Sequence, residues 1–211
     1  MAYVITGFDK TKCIVKVSKS FYLEGRSLAL KNLTYQVPVG LAYSEFDFAF
    51  IQRGKKFEMS NCVVDGGRLR LNVNEGVIDN CTFNVTESNG FDGYALYYYG
   101  ANNSTVKVSN STFNTAGKAI VMYNESAMVF NLDVENCTFS SSNSATDKAA
   151  IQMHTENGIS GTLDITNSIA TDFADKNSGL WKEVNNNTKA ETNQFDITVD
   201  NQKVHSASVE E

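Results

Sequence analysis

Tyr97, Tyr99, Tyr123 and Trp181 recur in short apolar stretches, and Arg70, Gln152, His154 and Glu183 stand at comparable places in related stretches. Rings with an apolar face and a polar edge suit sugars, which present C–H faces and polar rims. Arg, Gln, His and Glu beside such rings would supply hydrogen bonds. The chemistry these eight residues point to is carbohydrate binding. His154 is one of two histidines, with His205. As a general base it would need an orienting partner and a nucleophile. The pattern puts Glu183 on one side of it and Tyr123 on the other. That falls short of a catalytic set, and no catalytic residue is assigned.

Other chemistries fail on composition and spacing. Calcium needs several converging oxygen ligands. Asp133, Glu135 and Asp164 come nearest, but they read as a solvated face. Glycoside hydrolysis uses paired carboxylates flanking the bond. Asp172 and Asp175 are close in sequence, yet they fall in a loop without a matching histidine. The four cysteines, Cys13, Cys62, Cys81 and Cys137, form no C-x-x-C or Cys/His cluster, so neither a metal nor a cofactor is expected. Cys62, Cys81 and Cys137 share a position held elsewhere by Ser111 and Ser168. That exchange marks a small packed slot for free thiols, not a disulfide framework.

That slot belongs to a repeat. Met59-Ser60-Asn61-Cys62, Ile78-Asp79-Asn80-Cys81-Thr82-Phe83, Val108-Ser109-Asn110-Ser111-Thr112-Phe113, Val134-Glu135-Asn136-Cys137-Thr138-Phe139 and Ile165-Thr166-Asn167-Ser168 are copies, and Leu30-Lys31-Asn32-Leu33 is an earlier one. The Asn positions lie 29, 19, 30, 26 and 31 residues apart by subtraction. Fixed strands with loops of variable length give such spacing. Before each Asn the chain alternates apolar and polar residues, as in Thr162-Leu163-Asp164-Ile165-Thr166, the period of a half-buried strand. A second strand follows in each copy, as in Lys118-Ala119-Ile120-Val121-Met122-Tyr123. No segment has a sustained helical period.

The expected fold is all-β: a right-handed parallel β-helix of about six to seven rungs with an Asn ladder. Asn suits the bend because it tolerates the left-handed backbone, and stacked amides can bond from rung to rung. Met59, Ile78, Val108, Val134 and Ile165 should form one interior file, and Val64, Phe83, Phe113 and Phe139 another. One domain spans residues 1–205. Residues 1–20 add an N-terminal cap or extra strand, Phe195–Val199 a last strand, and 206–211 a disordered tail. The Asn-x-Ser/Thr sequons fall inside the packed turn and read as structure, not glycosylation.

Net charge is -6 and the pI is about 5.0, with no basic stripe, so no nucleic-acid partner is expected. No apolar run reaches membrane-spanning length, so no membrane insertion is expected. The start, Met1-Ala2-Tyr3-Val4-Ile5, is not a signal peptide. A fragment of a longer secreted protein, with other domains as partners, fits these features.

The hydrophobic-x-hydrophobic-x-Asn-Cys/Ser-Thr-Phe units and the Ala-Ile-x-hydrophobic strands resemble the pectin lyase-like superfamily of right-handed parallel β-helices over roughly residues 20–200. The style is similar to surface β-helix proteins of gut bacteria. The resemblance implies an extracellular or bacterial cell-surface location and a polysaccharide partner. No enzyme motif of the family is present. Fold alone does not imply function. The expectation is a non-catalytic carbohydrate-binding or adhesive module. A polysaccharide lyase or glycoside hydrolase and a purely structural stalk are the alternatives.

Overall fold

In a computed structural model, residues 2–19, 21–37, 47–85, 94–100, 103–142, 148–173, 177–188 and 190–207 are described. The tail residues 208–211, and Asp175, lie outside them. The chain coils into a parallel β-solenoid with three faces. The first face stacks β1 (Ala2–Thr6), β4 (Ser27–Lys31), the end of β6 (Asp47–Ser60), the end of β8 (Arg68–Asp79), β11 (Ser104–Ser109), β14 (Val129–Glu135), β17 (Ser160–Thr166) and β20 (Phe195–Val199). The second stacks β2 (Ile14–Lys16), β5 (Thr34–Gln36), β7 (Val63–Asp65), β9 (Thr82–Val85), β12 (Thr112–Thr115), β15 (Thr138–Ser141) and β18 (Ile169–Thr171). The third stacks β3 (Phe21–Glu24), the starts of β6 and β8, β10 (Leu96–Tyr98), β13 (Ile120–Met122), β16 (Ile151–His154) and β19 (Trp181–Val184). A final strand, β21 (Gln202–His205), folds back antiparallel on β20. All other pairings among these strands are parallel.

The stack amounts to about five regular turns, fewer than the six to seven expected. The outermost strands at each end lack a neighbour on one side and do not complete sandwiched coils. Among the described residues there is no α-helix, and no helix is long and apolar enough to cross a membrane.

The Asn corner has the expected form. Asn32, Asn61, Asn80, Asn110, Asn136 and Asn167 all hold φ between 47 and 57°, the left-handed region. Their amides bond along the stack: Asn61 Nδ2 donates to Asn32 Oδ1 at 2.8 Å, and Asn167 Nδ2 to Asn136 Oδ1 at 2.7 Å. The ladder breaks once. Asn110 Nδ2 donates instead to Asp79 Oδ1 at 2.7 Å, and Ser109 Oγ donates to the same oxygen. These donors hold the Asp79 carboxyl below its ordinary value. A second polar ladder, not anticipated, runs outside the second face: Asn84 to Asp65, Asn114 to Asn84 and Ser140 to Asn114, all at 2.8–2.9 Å.

Inside, Met59, Ile78, Val108, Val134 and Ile165 pair in register, as do Val64, Phe83, Phe113 and Phe139. Phe83 and Phe113 stack at 4.9 Å with their planes 5° apart. The cysteines are free. The Cys/Ser exchange acquires a cause: Ser111 Oγ accepts the Cys81 N–H at 3.1 Å, and Ser168 Oγ accepts the Cys137 N–H at 2.9 Å. A hydroxyl there satisfies a buried donor of the preceding coil. Burial pushes the Cys137 thiol up to about 11, which keeps it protonated and inert.

The Asn corner yields a first prediction. Asn110→Ala should destabilise the protein by about 1–2 kcal/mol in urea unfolding, since alanine pays the left-handed penalty and loses the amide bonds. Asn110→Gly should cost less than Asn110→Ala, because glycine removes the backbone part of that penalty.

Candidate functional site

The outward side of the third face carries the aromatic residues. Strand pairing places Arg70, Tyr97, Val121, Gln152 and Lys182 in one file. Tyr99, Tyr123 and His154 follow in the next, two residues along. Small residues make this possible. Ala95, Ala119 and Ala150 are fully buried at the strand starts, so each coil turns tightly and the rings leave on the outer side.

The rings form a cluster separate from the interior core, built on Tyr94, Tyr97 and Val121 with Tyr99 and Tyr123 against it. Tyr97 is at its centre. It stacks with Tyr123 at 6.2 Å and 17° and meets Tyr94 and Tyr99 edge-on. The guanidinium groups of Arg68 and Arg70 lie 5.2 and 5.4 Å from its ring centre. Such cation–π contacts are stabilising when desolvated, and Arg68 is fully buried. Tyr97 itself is 8% exposed, so the rings that reach solvent are the half-buried Tyr99 and Tyr123. Burial pushes the Tyr99 phenol above its ordinary value, which keeps it a neutral donor.

A groove of about 410 Å³ opens beside this cluster. Tyr94, Tyr97, Tyr123 and Val121 form its apolar side, and Lys118, His154, Glu156, Asn157, Asn186 and Asn187 its polar side. His154 and Glu156 are both buried, with Nδ1 and Oε1 3.3 Å apart. Glu156 Oε2 also accepts the Asn186 N–H at 3.0 Å, which docks the 185–188 loop at the groove edge. Asn157 Nδ2 donates to the Asn124 carbonyl, and Asn124 Nδ2 to the Tyr99 carbonyl, so the polar rim is tied to the coils. Among the described residues the lining holds one carboxylate and no Ser, Thr or Cys.

Six of the eight residues anticipated from sequence share this face: Arg70, Tyr97, Tyr99, Tyr123, Gln152 and His154. Trp181 and Glu183 do not. Trp181 pairs with Ile151 and Glu183 with Met153, so both point into the solenoid. The cause is that the turn runs through Leu180, so the strand starts one residue later than the apolar pair Leu180-Trp181 suggests. Ser178 and Gly179 in that turn take successive left-handed conformations, φ 55 and 70°, and Trp181 falls in register with Ile151. A one-residue slip reverses every side chain. The partner of His154 is therefore Glu156, not Glu183.

Glu183 instead closes the end of the core. It is 2% exposed and accepts from Thr192 Oγ1 and the Gln194 N–H at 2.5 Å and the Phe195 N–H at 3.1 Å. His205 Nε2 lies 3.2 Å from Oε2, the oxygen that accepts the Phe195 N–H. A second cavity of about 370 Å³, lined by Trp181, Glu183 and His205 among others, sits at this end.

Sequence reading missed Tyr94, Lys118, Glu156, Asn157, Asn186 and Asn187. The available signal was proximity in the chain: Glu156 lies two residues beyond His154, in the turn that follows β16. The loop asparagines carried no such signal. On the first face, Lys107 Nζ lies 3.3 Å from Asp133 and 2.8 Å from Glu135, so an ammonium occupies the place between these carboxylates. Among the described residues no group of His, Cys, Asp or Glu could hold a metal ion. Neither a family model, nor a curated protein, nor a solved structure matches this chain.

Proposed function

We propose that this chain is a carbohydrate-binding module of an extracellular or cell-surface protein, related to the pectin lyase-like β-helices. The observation that carries the reading is the Tyr97–Tyr123 stack bordering an open groove whose other side is polar. A sugar ring rests its C–H face on Tyr123, while Lys118, Asn157, Asn186 and Asn187 bond its hydroxyls. The test is affinity electrophoresis in gels containing neutral or acidic plant and bacterial polysaccharides. Retardation by at least one polymer is expected, and Tyr123→Ala should weaken it by roughly tenfold, the loss of one aromatic contact. Migration unchanged in every gel would refute the proposal.

A second reading has one observation in its favour. His154 and Glu156 are buried side by side, Nδ1 and Oε1 3.3 Å apart, and a histidine next to a carboxylate is the pair from which a polysaccharide lyase or hydrolase could draw a general base. Release of unsaturated or reducing sugars by the wild type, lost in His154→Ala, would replace binding by catalysis.

A further inference from the structure

The four thiols are not equivalent. Backbone bonds just after the Asn corner order one file from Cys13 through Leu33, Cys62, Cys81 and Ser111 to Cys137, each carbonyl accepting the N–H that follows the next member. Cys13 thus has Leu33 as its neighbour, and Cys137 lies between Ser111 and Ser168. Cys62 and Cys81 are thiol against thiol. Ser60 pairs with Asp79 and Val63 with Thr82, so the two cysteines hold the same place in adjacent coils. Such places lie about 4.8 Å apart, inside the roughly 4.4–6.8 Å between Cα atoms that a disulfide takes. Both are free thiols, and their side chains hydrogen-bond to each other.

That bond makes the pair unequal. With Cys81 as donor, Cys62 drops below the ordinary thiol value in spite of its burial. The same bond, together with burial, pushes Cys81 far up. Cys62 is therefore the nucleophilic sulfur and Cys81 the resolving one. Cys137 has no thiol donor beside it, and burial keeps it protonated.

We propose that Cys62 and Cys81 are an oxidation site that closes to a disulfide between neighbouring coils, with hydrogen peroxide as the oxidant. The Cys62 sulfur attacks one peroxide oxygen, the O–O bond breaks, and the departing hydroxide takes up a proton to leave as water. The Cys81 sulfur then attacks the sulfur of the Cys62 sulfenic acid. The S–S bond forms, the S–O bond breaks, and the Cys81 proton leaves with the second water. Two thiols are oxidised and one peroxide is reduced to two waters. Size selects the oxidant. Cys62 and Cys81 are 0 and 2% exposed, and peroxide is scarcely larger than water, whereas a bulky disulfide would have to open the core. The new bond ties together the two ends of the coil that carries Arg68 and Arg70, whose guanidinium groups lie against Tyr97.

The test is peptide mapping of the folded protein after exposure to hydrogen peroxide, with alkylation and trypsin digestion in the absence of reductant. Cleavage after Lys56, Arg68, Arg70 and Lys107 puts Cys62 in fragment 57–68 and Cys81 in fragment 71–107. These two fragments should appear joined, with Cys13 and Cys137 still alkylated, and dithiothreitol should separate them. Single serine substitutions keep the slot filled, as Ser111 and Ser168 do. In Cys81→Ser, Cys62 should stop at the sulfenic acid and be trapped by dimedone. In Cys62→Ser, trapping at Cys81 should be slower by roughly tenfold or more, since its thiolate is scarce. Fragments that never join, joining that involves Cys13 or Cys137 equally, or equal trapping in the two variants would overturn the proposal.

Discussion

Gly161→Ala is expected to be severely destabilising. A Cβ at this position would sit 1.7 Å from the Phe130 carbonyl oxygen, and φ is +152°, a conformation that side chains rarely adopt. The obstacle is backbone, in a strand clamped by β11 on one side and β17 on the other. It has no rotamer to escape into. The cost should exceed the roughly 1 kcal/mol of an ordinary glycine replacement and reach about 4 kcal/mol or more, in the range that marks a named structural failure. Gly100 supplies the control. Its Cβ would also meet Phe130, but at ring atom Cε1, 2.0 Å away. That ring stacks on Tyr98 at 5.0 Å, so it resists displacement without being immovable. Gly100→Ala should cost about 2–3 kcal/mol, the usual price of overpacking. Trimming the ring separates the two. In a Phe130→Leu background, urea unfolding should show Gly100→Ala relieved and Gly161→Ala unrelieved. Equal rescue of both would mean that the Phe130 carbonyl is not what glycine 161 avoids.

Glu183→Ala should produce the second large loss, about 4 kcal/mol. The carboxylate accepts from one hydroxyl and two backbone N–H groups, and a buried donor left without an acceptor costs about 1–3 kcal/mol. Glu183→Gln keeps one acceptor oxygen and should cost about half as much. The lesion should be local. Hydrogen exchange is expected to rise first in β19 and β20, with the coils around Phe83 and Phe113 still protected. Polysaccharide retardation by folded Glu183→Gln should equal that of the wild type, because the residue faces the interior. If retardation vanished while melting stayed unchanged, Glu183 would belong to the ligand and not to the end of the core.

The repeat was legible because stacking forces equivalent residues into equivalent surroundings. Asn61, Asn80, Asn110, Asn136 and Asn167 announce a left-handed corner because few other residues tolerate one. The interior files followed from that corner by counting along strands of fixed length. The outer face of the third sheet was harder to place, since its distance from the corner depends on turns that differ between coils. It came out correctly where the turn ends in Ala-Ile or Ala-Leu, as at Tyr97, Tyr123 and His154. It failed at Trp181, where Leu180 still belongs to the turn and the strand starts one residue later than the apolar pattern suggests. Nothing in Leu180-Trp181-Lys182-Glu183 reveals that slip, because either register buries one large apolar residue. Glu156 and the loop asparagines were out of reach for another reason. Their position depends on where a loop lands, and a repeat says nothing of segments that do not repeat.

The Asn corner also gives the molecule a unit of inheritance. Every coil enters and leaves at the same backbone conformation, whether 19 or 31 residues separate one corner from the next. A whole coil could be duplicated or excised between two such asparagines and the flanking strands would still meet in phase. Length is thereby quantised in steps of about 4.8 Å, the strand spacing. Loops between corners can be exchanged as cassettes without retuning the core. Excising Asn110 to Glu135 would test this directly: it removes Tyr123 and its part of the groove, yet joins Ser109 to Asn136 across a junction the chain already uses elsewhere.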